Sequence, residues 1–322
     1  MTTARIPTAA RRVRAGSRGE GQRLDNFLLR QLAHVPKSRV YRLLRRGEVR
    51  VNGKRKGPDY RLAAEDEVRL PPVREAPTPR TRTVPASLLE VVRTAVIHED
   101  ERLIVLDKPA GLAVHGGSGL AFGAIEALRA LRPDEPLDLA HRLDRDTSGC
   151  LLVARTPAAL RTLHALLREG AVDKHYTALV IGRWHLGSKT IDAPVLTHQR
   201  QGGERVVRVH AAGKLAVSRF TPGEHLGSTA TLMDVEIHTG RTHQIRVHAA
   251  YARHPVAGDD KYGNRSANQV LAAAGLSRMF LHAASVAFRW PADGARFQVR
   301  APLPAELEAF LSVLRRRPGR PG

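Results

Sequence analysis

His141-Arg142-Leu143-Asp144-Arg145-Asp146-Thr147-Ser148-Gly149 runs directly into Cys150-Leu151-Leu152-Val153-Ala154. The first part sets two carboxylates, two guanidiniums and two hydroxyls on a stretch that reads as a loop, and the second reads as a short buried strand. Polar side chains on a loop held by a rigid strand are a common way for a fold to place chemistry. Arg and Asp this close in sequence also form ordinary surface ion pairs, worth about a fraction of a kcal/mol. The surrounding pattern decides between the two.

Around this loop, strands alternate with helices. Strands are expected at 103–106, 150–154, 176–181, 231–237 and 297–299, and helices at 122–131, 157–168, 242–253 and 304–315. Arg315-Arg316-Arg317 reads as a fraying basic end. A chain of 322 residues exceeds a typical single domain, which suggests a main core of about 200 residues plus a smaller module.

The net charge is +21, from 52 Lys and Arg against 31 Asp and Glu. So basic a balance points to a polyanion, with nucleic acid as the first candidate. No apolar run approaches the roughly eighteen residues that a membrane span needs, and no membrane attachment is expected. Residues 1–21 carry Arg5, Arg11, Arg12, Arg14 and Arg18 but lack the apolar centre of a secretory signal, so they read as a disordered basic tail. Cys150 is the only cysteine, which excludes an internal disulfide and suits a reducing cytoplasm. Opening an apolar run, it reads as a small core residue.

Residues 22–73 form a small mixed module. Leu24, Phe27, Leu28 and Leu32 recur at helical spacing, and a second helix is expected over 36–46, ending at Gly47. Strands follow at 48–51 and 66–70, with Asn52-Gly53 as a tight turn. On the second helix Val40, Leu43 and Leu44 form an apolar stripe, while Arg39, Arg42 and Arg46 fall on another face. From Arg23 to Val73 thirteen basic residues face six acidic ones, so that face is read as an RNA contact rather than solvated charge. Lys37, Ser38, Arg39, Arg42, Arg46 and Lys54 are its candidate residues. The Pro-, Thr- and Arg-dense stretch that follows places a linker at 74–90, a main domain at 91–317 and a tail at 318–322.

Two further stretches follow the opening one in order: Lys174-His175-Tyr176 and Gly240-Arg241-Thr242-His243-Gln244-Ile245-Arg246-Val247-His248. Together the three resemble the signatures of the RluA-type pseudouridine synthases, which isomerise chosen uridines in RNA. Val96-Ile97-His98-Glu99-Asp100, Lys108-Pro109-Ala110-Gly111, Gly258-Asp259, Lys261-Tyr262-Gly263 and Phe280-Leu281-His282-Ala283 extend the likeness over most of residues 22–312. The module with Arg23-Leu24-Asp25 and Lys37-Ser38-Arg39 is similar to an S4 domain, a small RNA-binding unit. Thr177 departs from the pattern, since an aromatic often follows the tyrosine.

The resemblance implies an α+β fold: an S4-like domain, then a catalytic domain with a mixed, largely antiparallel sheet flanked by helices and split by a cleft. It makes Asp144 the catalytic carboxylate, Tyr176 the ring that stacks on the target base and Arg246 the partner of Asp144. A neighbouring guanidinium would orient that carboxylate and favour its charged form. His141, Arg142, Thr147, Ser148, Lys174, Arg241, Thr242, His243 and Gln244 are the remaining expected substrate contacts, with Arg241 turned to phosphate and Ile245 bracing the pocket.

The implied reaction breaks the bond from N1 to the ribose, turns the uracil and rejoins it through C5, on a nucleotide flipped from its stack. A carboxylate can serve such chemistry as it does in glycosidases. Attack on the sugar, attack on the base and elimination through a glycal all remain open. No metal, redox cofactor or nucleotide cofactor is expected. The implied partner is large-subunit ribosomal RNA, 23S rRNA, met by a cytoplasmic monomer.

Rival readings fare worse. His115-Gly116-Gly117-Ser118-Gly119 resembles an esterase oxyanion loop, but the chain has no Gly-x-Ser-x-Gly elbow. His238, His243 and His248 are spaced by five, which breaks the i, i+4 geometry of a helical metal site, and they read as polar histidines near RNA. A catalytically idle rRNA-binding or ribosome-assembly factor is the remaining alternative, and the intact Asp144, Tyr176 and Arg246 argue against it.

Overall fold

The computed structural model describes residues 10–316 apart from 33, 34, 36, 74–82, 118, 119 and 200–204, and it divides into a unit ending at Thr83 and a second beginning at Val84. In the first unit, β1 (Arg11–Arg14) precedes a single turn, α1 (Gly16–Gly19). Then come α2 (Leu24–Gln31), α3 (Lys37–Arg46), β2 (Arg50–Val51) and β3 (Glu67–Leu70). Strand β3 lies between β1 and β2, antiparallel to both. The apolar stripes of the two helices close on these strands: Leu24, Phe27, Leu28, Val40, Leu43 and Leu44 are buried with Val51, Val68 and Leu70. Asn52 and Gly53 both have positive φ, and Val51 and Lys54 exchange backbone hydrogen bonds across them at 2.9 Å, as the Asn-Gly pair predicts.

Two expected boundaries need correction. Residues 11–21 belong to the folded unit rather than to a disordered tail, since Arg11–Arg14 pair residue by residue with β3 and the amide of Ala15 bonds Asp66 O at 2.8 Å. An edge strand written Arg-Arg-Val-Arg has one apolar residue and so no hydrophobic alternation to read; beside its ladder bonds, Val13 packs on the core, Arg11 Nη2 donates to Gln31 O at 2.7 Å and Arg12 Nη1 to Glu67 Oε1 at 3.1 Å. Of the expected linker at 74–90, residues 74–82 lie outside the described residues. Its end is α4 (Ala86–Thr94), with Val92 fully buried and Leu88 and Leu89 packed on the core.

The second unit continues with β4 (Val96–Glu99), β5 (Leu103–Lys108), α5 (Ala124–Leu131), β6 (Asp138–Leu139), β7 (Ser148–Ala154), α6 (Pro157–Glu169) and β8 (Asp173–Ile181). It then runs through β9 (Lys189–Asp192), β10 (Val195–Gln199), β11 (Arg205–Val209), β12 (Val217–Leu226), β13 (Ala230–Ile237) and α7 (Gln244–Tyr251). It closes with α8 (Arg265–Ala273), β14 (Leu281–Arg289), β15 (Arg296–Arg300) and α9 (Ala305–Arg316). One large sheet has the order β4-β5-β7-β14-β8-β13-β12-β9, with β6 on β7 and β15 on β14; β10 and β11 form a separate hairpin. All its ladders are antiparallel except β7 with β14. The architecture is therefore the mixed, largely antiparallel α+β sheet expected.

Strands β5 and β7 read as unbroken apolar runs because both of their faces are covered. Ile104, Leu106, Leu151 and Val153 enter the main core, while Leu103, Val105, Cys150 and Leu152 pack on the opposite side with Leu163, Leu166 and Phe288. Burial pushes the Cys150 thiol up to about 12, so it is an inert core group, as its setting in the sequence suggested. Helix α6 is bounded by local chemistry: Thr156 Oγ1 accepts the amide of Ala159, Pro157 opens the first turn and Gly170 closes it at φ 74°. Helix α9 runs to Arg316, with Arg315 Nη2 2.7 Å from Glu224 Oε2; Arg317 of the expected fraying end lies outside the described residues. Among the described residues no helix is long and apolar enough to cross a membrane.

Candidate active site

The loop that ends in β7 is held from both sides. The Leu152 amide donates to His141 Nε2 at 3.0 Å, which pins the start of the loop to the strand it precedes. Lys108, at the end of β5 and 0 % exposed, donates from Nζ to the carbonyls of Pro109 (2.9 Å), Leu112 (2.8 Å) and Arg145 (3.0 Å). The Gly111 amide reaches Arg145 O as well, at 2.9 Å. Asp144 is thereby presented by a loop whose next carbonyl is doubly tied.

The position of β7 also depends on Gly149. Its φ is +106°, and a Cβ built there would sit 2.2 Å from Ala283 O on β14, so only glycine permits this close parallel approach.

Arg246 comes from α7, 102 residues further along the chain, and its Nη1 lies 3.3 Å from Asp144 Oδ2. The rest of its fork is taken by Asp259, which is 1 % exposed: Nε to Oδ2 at 2.7 Å and Nη2 to Oδ1 at 2.8 Å. The amides of Lys261 (2.9 Å) and Tyr262 (3.1 Å) also donate to Asp259 Oδ1. Burial opposes charge on both partners, yet their mutual hydrogen bonds and attraction outweigh it, raising the Arg246 guanidinium and lowering the Asp259 carboxyl. The guanidinium also sits 5.1 Å above the Tyr262 ring.

Asp144 and Arg246 both border a solvent-open cleft. Tyr176, buried on β8, lines it with Leu143, Ile237, Ile245 and Leu281, while Arg142, Arg241, Thr242 and His243 supply polar groups. Burial, and then the charge of Asp144, push the Tyr176 phenol up, so it stays protonated as a neutral ring in the cleft lining. The three residues that the resemblance makes catalytic thus meet in space from β8, α7 and the loop before β7.

Several expected RNA contacts are instead internal. Ser148 is fully buried, and its hydroxyl sits 2.9 Å from His282 Nδ1 and accepts from Arg278 Nη2 at 3.0 Å. Gln244 is consumed within the fold: Oε1 accepts from Thr239 Oγ1 and the Arg241 amide, and Nε2 donates to Val217 O and Ser218 Oγ. Lys174 is 7 % exposed, and burial lowers its pKa. His141 braces the loop, with burial and then Lys174 pulling its ring down to about 4. His248 is a core residue bonded to Ser218 and Ala193, not a histidine near RNA. Thr147 is buried at the cleft edge.

A sequence does not distinguish a satisfied buried polar group from an exposed one, which is why these residues read as RNA contacts. Sequence reasoning also assigns no role to Lys108, Asp259 or Tyr262, although each lies in a stretch that carries the resemblance.

In the first unit Ser38, Arg42, Arg46 and Lys54 are exposed and Arg39 is half-buried; the Lys37 side chain lies outside the described residues. Asp25 on α2 is buried, held by Arg23 Nη2 (2.9 Å) and Tyr41 OH (2.8 Å). Burial works against its charge, but these bonds win and its carboxyl is lowered.

Residues 102–251 match the RNA pseudouridylate synthase family and residues 22–68 the S4 domain. The chain belongs to the RNA pseudouridylate synthase family, and it is an S4-bearing pseudouridine synthase, an isomerase. Ribosomal large subunit pseudouridine synthase C of Salmonella typhimurium is 53% identical over 304 residues, covering 92% of this chain and 93% of that protein. The protein of that description in Escherichia coli (strain K12) is 52% identical with the same coverage, and that of Pasteurella multocida is 52% identical over 92% of this chain and 91% of its own length. Among solved structures, human RNA pseudouridylate synthase domain containing 4 superposes with a TM-score of 0.59 at 25% identity, covering 71% of this chain and 96% of that one.

Proposed function

We propose that this enzyme converts specific uridines of large-subunit ribosomal RNA to pseudouridine, with Asp144 as catalytic carboxylate, Tyr176 stacked on the target base and Arg246 orienting Asp144. The observation that carries the roles is the 3.3 Å approach of Arg246 Nη1 to Asp144 Oδ2 in a cleft that Tyr176 also lines. The RNA class is supported by the relatives, which are named for the large ribosomal subunit and resemble this chain over 92% of its length.

The uridine leaves its stack and enters the cleft, where the apolar side chains replace its stacking partners. The bond from N1 to C1′ breaks, the uracil turns while trapped, C5 bonds to C1′, the proton on C5 departs and N1 gains one. Attack at the sugar, attack at the base and elimination through a glycal each require one carboxylate facing the nucleotide, and Asp144 supplies it. Arg142 and Arg241 at the rim suit the flanking phosphates.

The test uses rRNA transcripts carrying tritium at uridine C5. The wild-type enzyme releases tritium to water without added metal or nucleotide, and Asp144→Asn binds the transcript but releases none. Release by Asp144→Asn at the wild-type rate would refute the role of this carboxylate.

A further inference from the structure

Asp144 has a second nitrogen beside it. His243 Nε2 lies 3.9 Å from Oδ2, the same oxygen that Arg246 approaches. At 3.9 Å there is no hydrogen bond, but a shift of about 0.7 Å would make one, and active-site bonds commonly tighten only when substrate is bound. His243 is held for this in two ways. It is the residue preceding α7, at φ +53°, a left-handed conformation rare outside glycine that marks a backbone held by its surroundings. Its other ring nitrogen, Nδ1, lies 2.8 Å from the hydroxyl of Tyr262.

That hydroxyl already accepts the Val207 amide at 3.0 Å, from strand β11. A phenol has one proton to give, and Nδ1 of His243 is the acceptor in reach. Burial raises the Tyr262 phenol, so it keeps its proton, and burial lowers the His243 ring, so it is neutral. A neutral ring that accepts at Nδ1 carries its proton on Nε2, the nitrogen facing the carboxylate.

The same tyrosine donates its amide to Asp259 and lies beneath the Arg246 guanidinium. One residue therefore touches both groups that approach Asp144 and the clamp on one of them.

We propose that Tyr262 is a positioning residue that fixes His243 as the Nε2–H tautomer, making His243 a second donor, beside Arg246, to Asp144 when the uridine is bound. The proposal rests on the reading of Asp144 as the catalytic carboxylate. Both donors then hold Oδ2 and leave Oδ1 to meet the nucleotide, so the carboxylate is fixed in rotation as well as in place. His243 becomes a part of the catalytic apparatus rather than a direct contact to the RNA.

The experiment pairs a tautomer measurement with single-turnover tritium release. In ¹⁵N NMR of histidine-labelled full-length protein, assigned by difference against His243→Gln, the wild-type His243 ring shows a bare Nδ1 and a protonated Nε2. Tyr262→Phe keeps the ring under Arg246 and removes only the hydroxyl. It shows mixed tautomers, a single-turnover rate lower by roughly tenfold and unchanged RNA affinity.

His243→Gln, whose amide reaches the same carboxylate, loses less rate than His243→Ala, and Tyr262→Phe adds nothing in the His243→Ala background. A wild-type ring protonated on Nδ1 overturns the proposal. So does a Tyr262→Phe enzyme with wild-type rate, or one whose fall in rate is matched by an equal fall in RNA affinity. If instead Asp144→Asn is active, the catalytic reading has failed, and the tautomer result stands apart from it.

Discussion

Replacing Asp259 with asparagine preserves shape and removes one charge from the most buried part of the site. Asp259 accepts four N–H donors: Arg246 Nε on Oδ2, and Arg246 Nη2 and the amides of Lys261 and Tyr262 on Oδ1. An asparagine amide has one oxygen, so in either orientation its NH₂ faces at least one of these donors. The guanidinium, which remains charged, loses its main partner in a buried setting. Breaking a buried pair from one side costs about 3–5 kcal/mol.

For a domain of this size that corresponds to a fall in melting temperature of about 6–20 °C, at roughly 2–4 °C per kcal/mol. Both tryptophans, Trp184 and Trp290, lie in the catalytic unit, so intrinsic fluorescence follows the melting of that unit. Freed from its clamp, Arg246 no longer sets the Asp144 carboxylate, and displacement on the order of 1 Å costs about a hundredfold in rate. Single-turnover tritium release measures this. A melting temperature within about 2 °C of wild type, with a rate within about threefold, would refute the idea that Asp259 fixes the guanidinium.

Lys108→Met probes the loop anchor through pH. Burial pulls the Lys108 ammonium down to about 7 from its ordinary 10.5, so between those values the unfolded chain binds a proton that the folded chain does not, and the neutral amine keeps two N–H donors for its three carbonyls. Wild-type stability relative to Lys108→Met therefore rises with pH across this window, by up to about 4–5 kcal/mol, and is flat below it. Urea melts at about pH 6, 7.5 and 9 check this; a constant difference would mean that the ammonium keeps its proton on the three carbonyls. Arg39→Ala, Arg42→Ala and Arg46→Ala combined leave the melting temperature unchanged and make the salt dependence of RNA binding shallower by about 0.7–0.9 in slope for each phosphate that is no longer neutralised. An unaltered slope removes this helix face from the RNA interface. Gly149→Ala forces β7 and β14 apart and yields little soluble protein, read by expression and fluorescence melting; a wild-type melting curve contradicts the close approach at Ala283.

What was legible in the sequence had a local or periodic cause. Apolar runs such as Cys150–Ala154 identified core strands, Asn52-Gly53 announced its turn, and the stripe of Val40, Leu43 and Leu44 identified the packed side of α3. Asp144, Tyr176 and Arg246 could be named only through the likeness of three separated stretches, and their convergence is a property of the sheet order. What was illegible depended on backbone partners or on burial. Strand β1 joins its sheet by ladder bonds and offers a single apolar residue, Val13, too little for an alternating pattern. Gln244 and Ser148 are polar, but their hydrogen bonds end inside the protein. Lys108 acts on three carbonyls, groups that every residue possesses. Asp259 and Tyr262 acquire their roles from α7, which no spacing near them foretells.

The grip of Asp259 on Arg246 also has an electrostatic consequence for what enters. Two carboxylates share a single guanidinium at the heart of the site, so this innermost cluster carries one formal negative charge within a chain whose total is +21. The polyanion is drawn to the protein at long range, while its phosphates are repelled from that spot at short range. Under the function proposed above, a nucleotide is thereby admitted with its uncharged pyrimidine leading and its backbone kept at the mouth, where Arg142 and Arg241 lie.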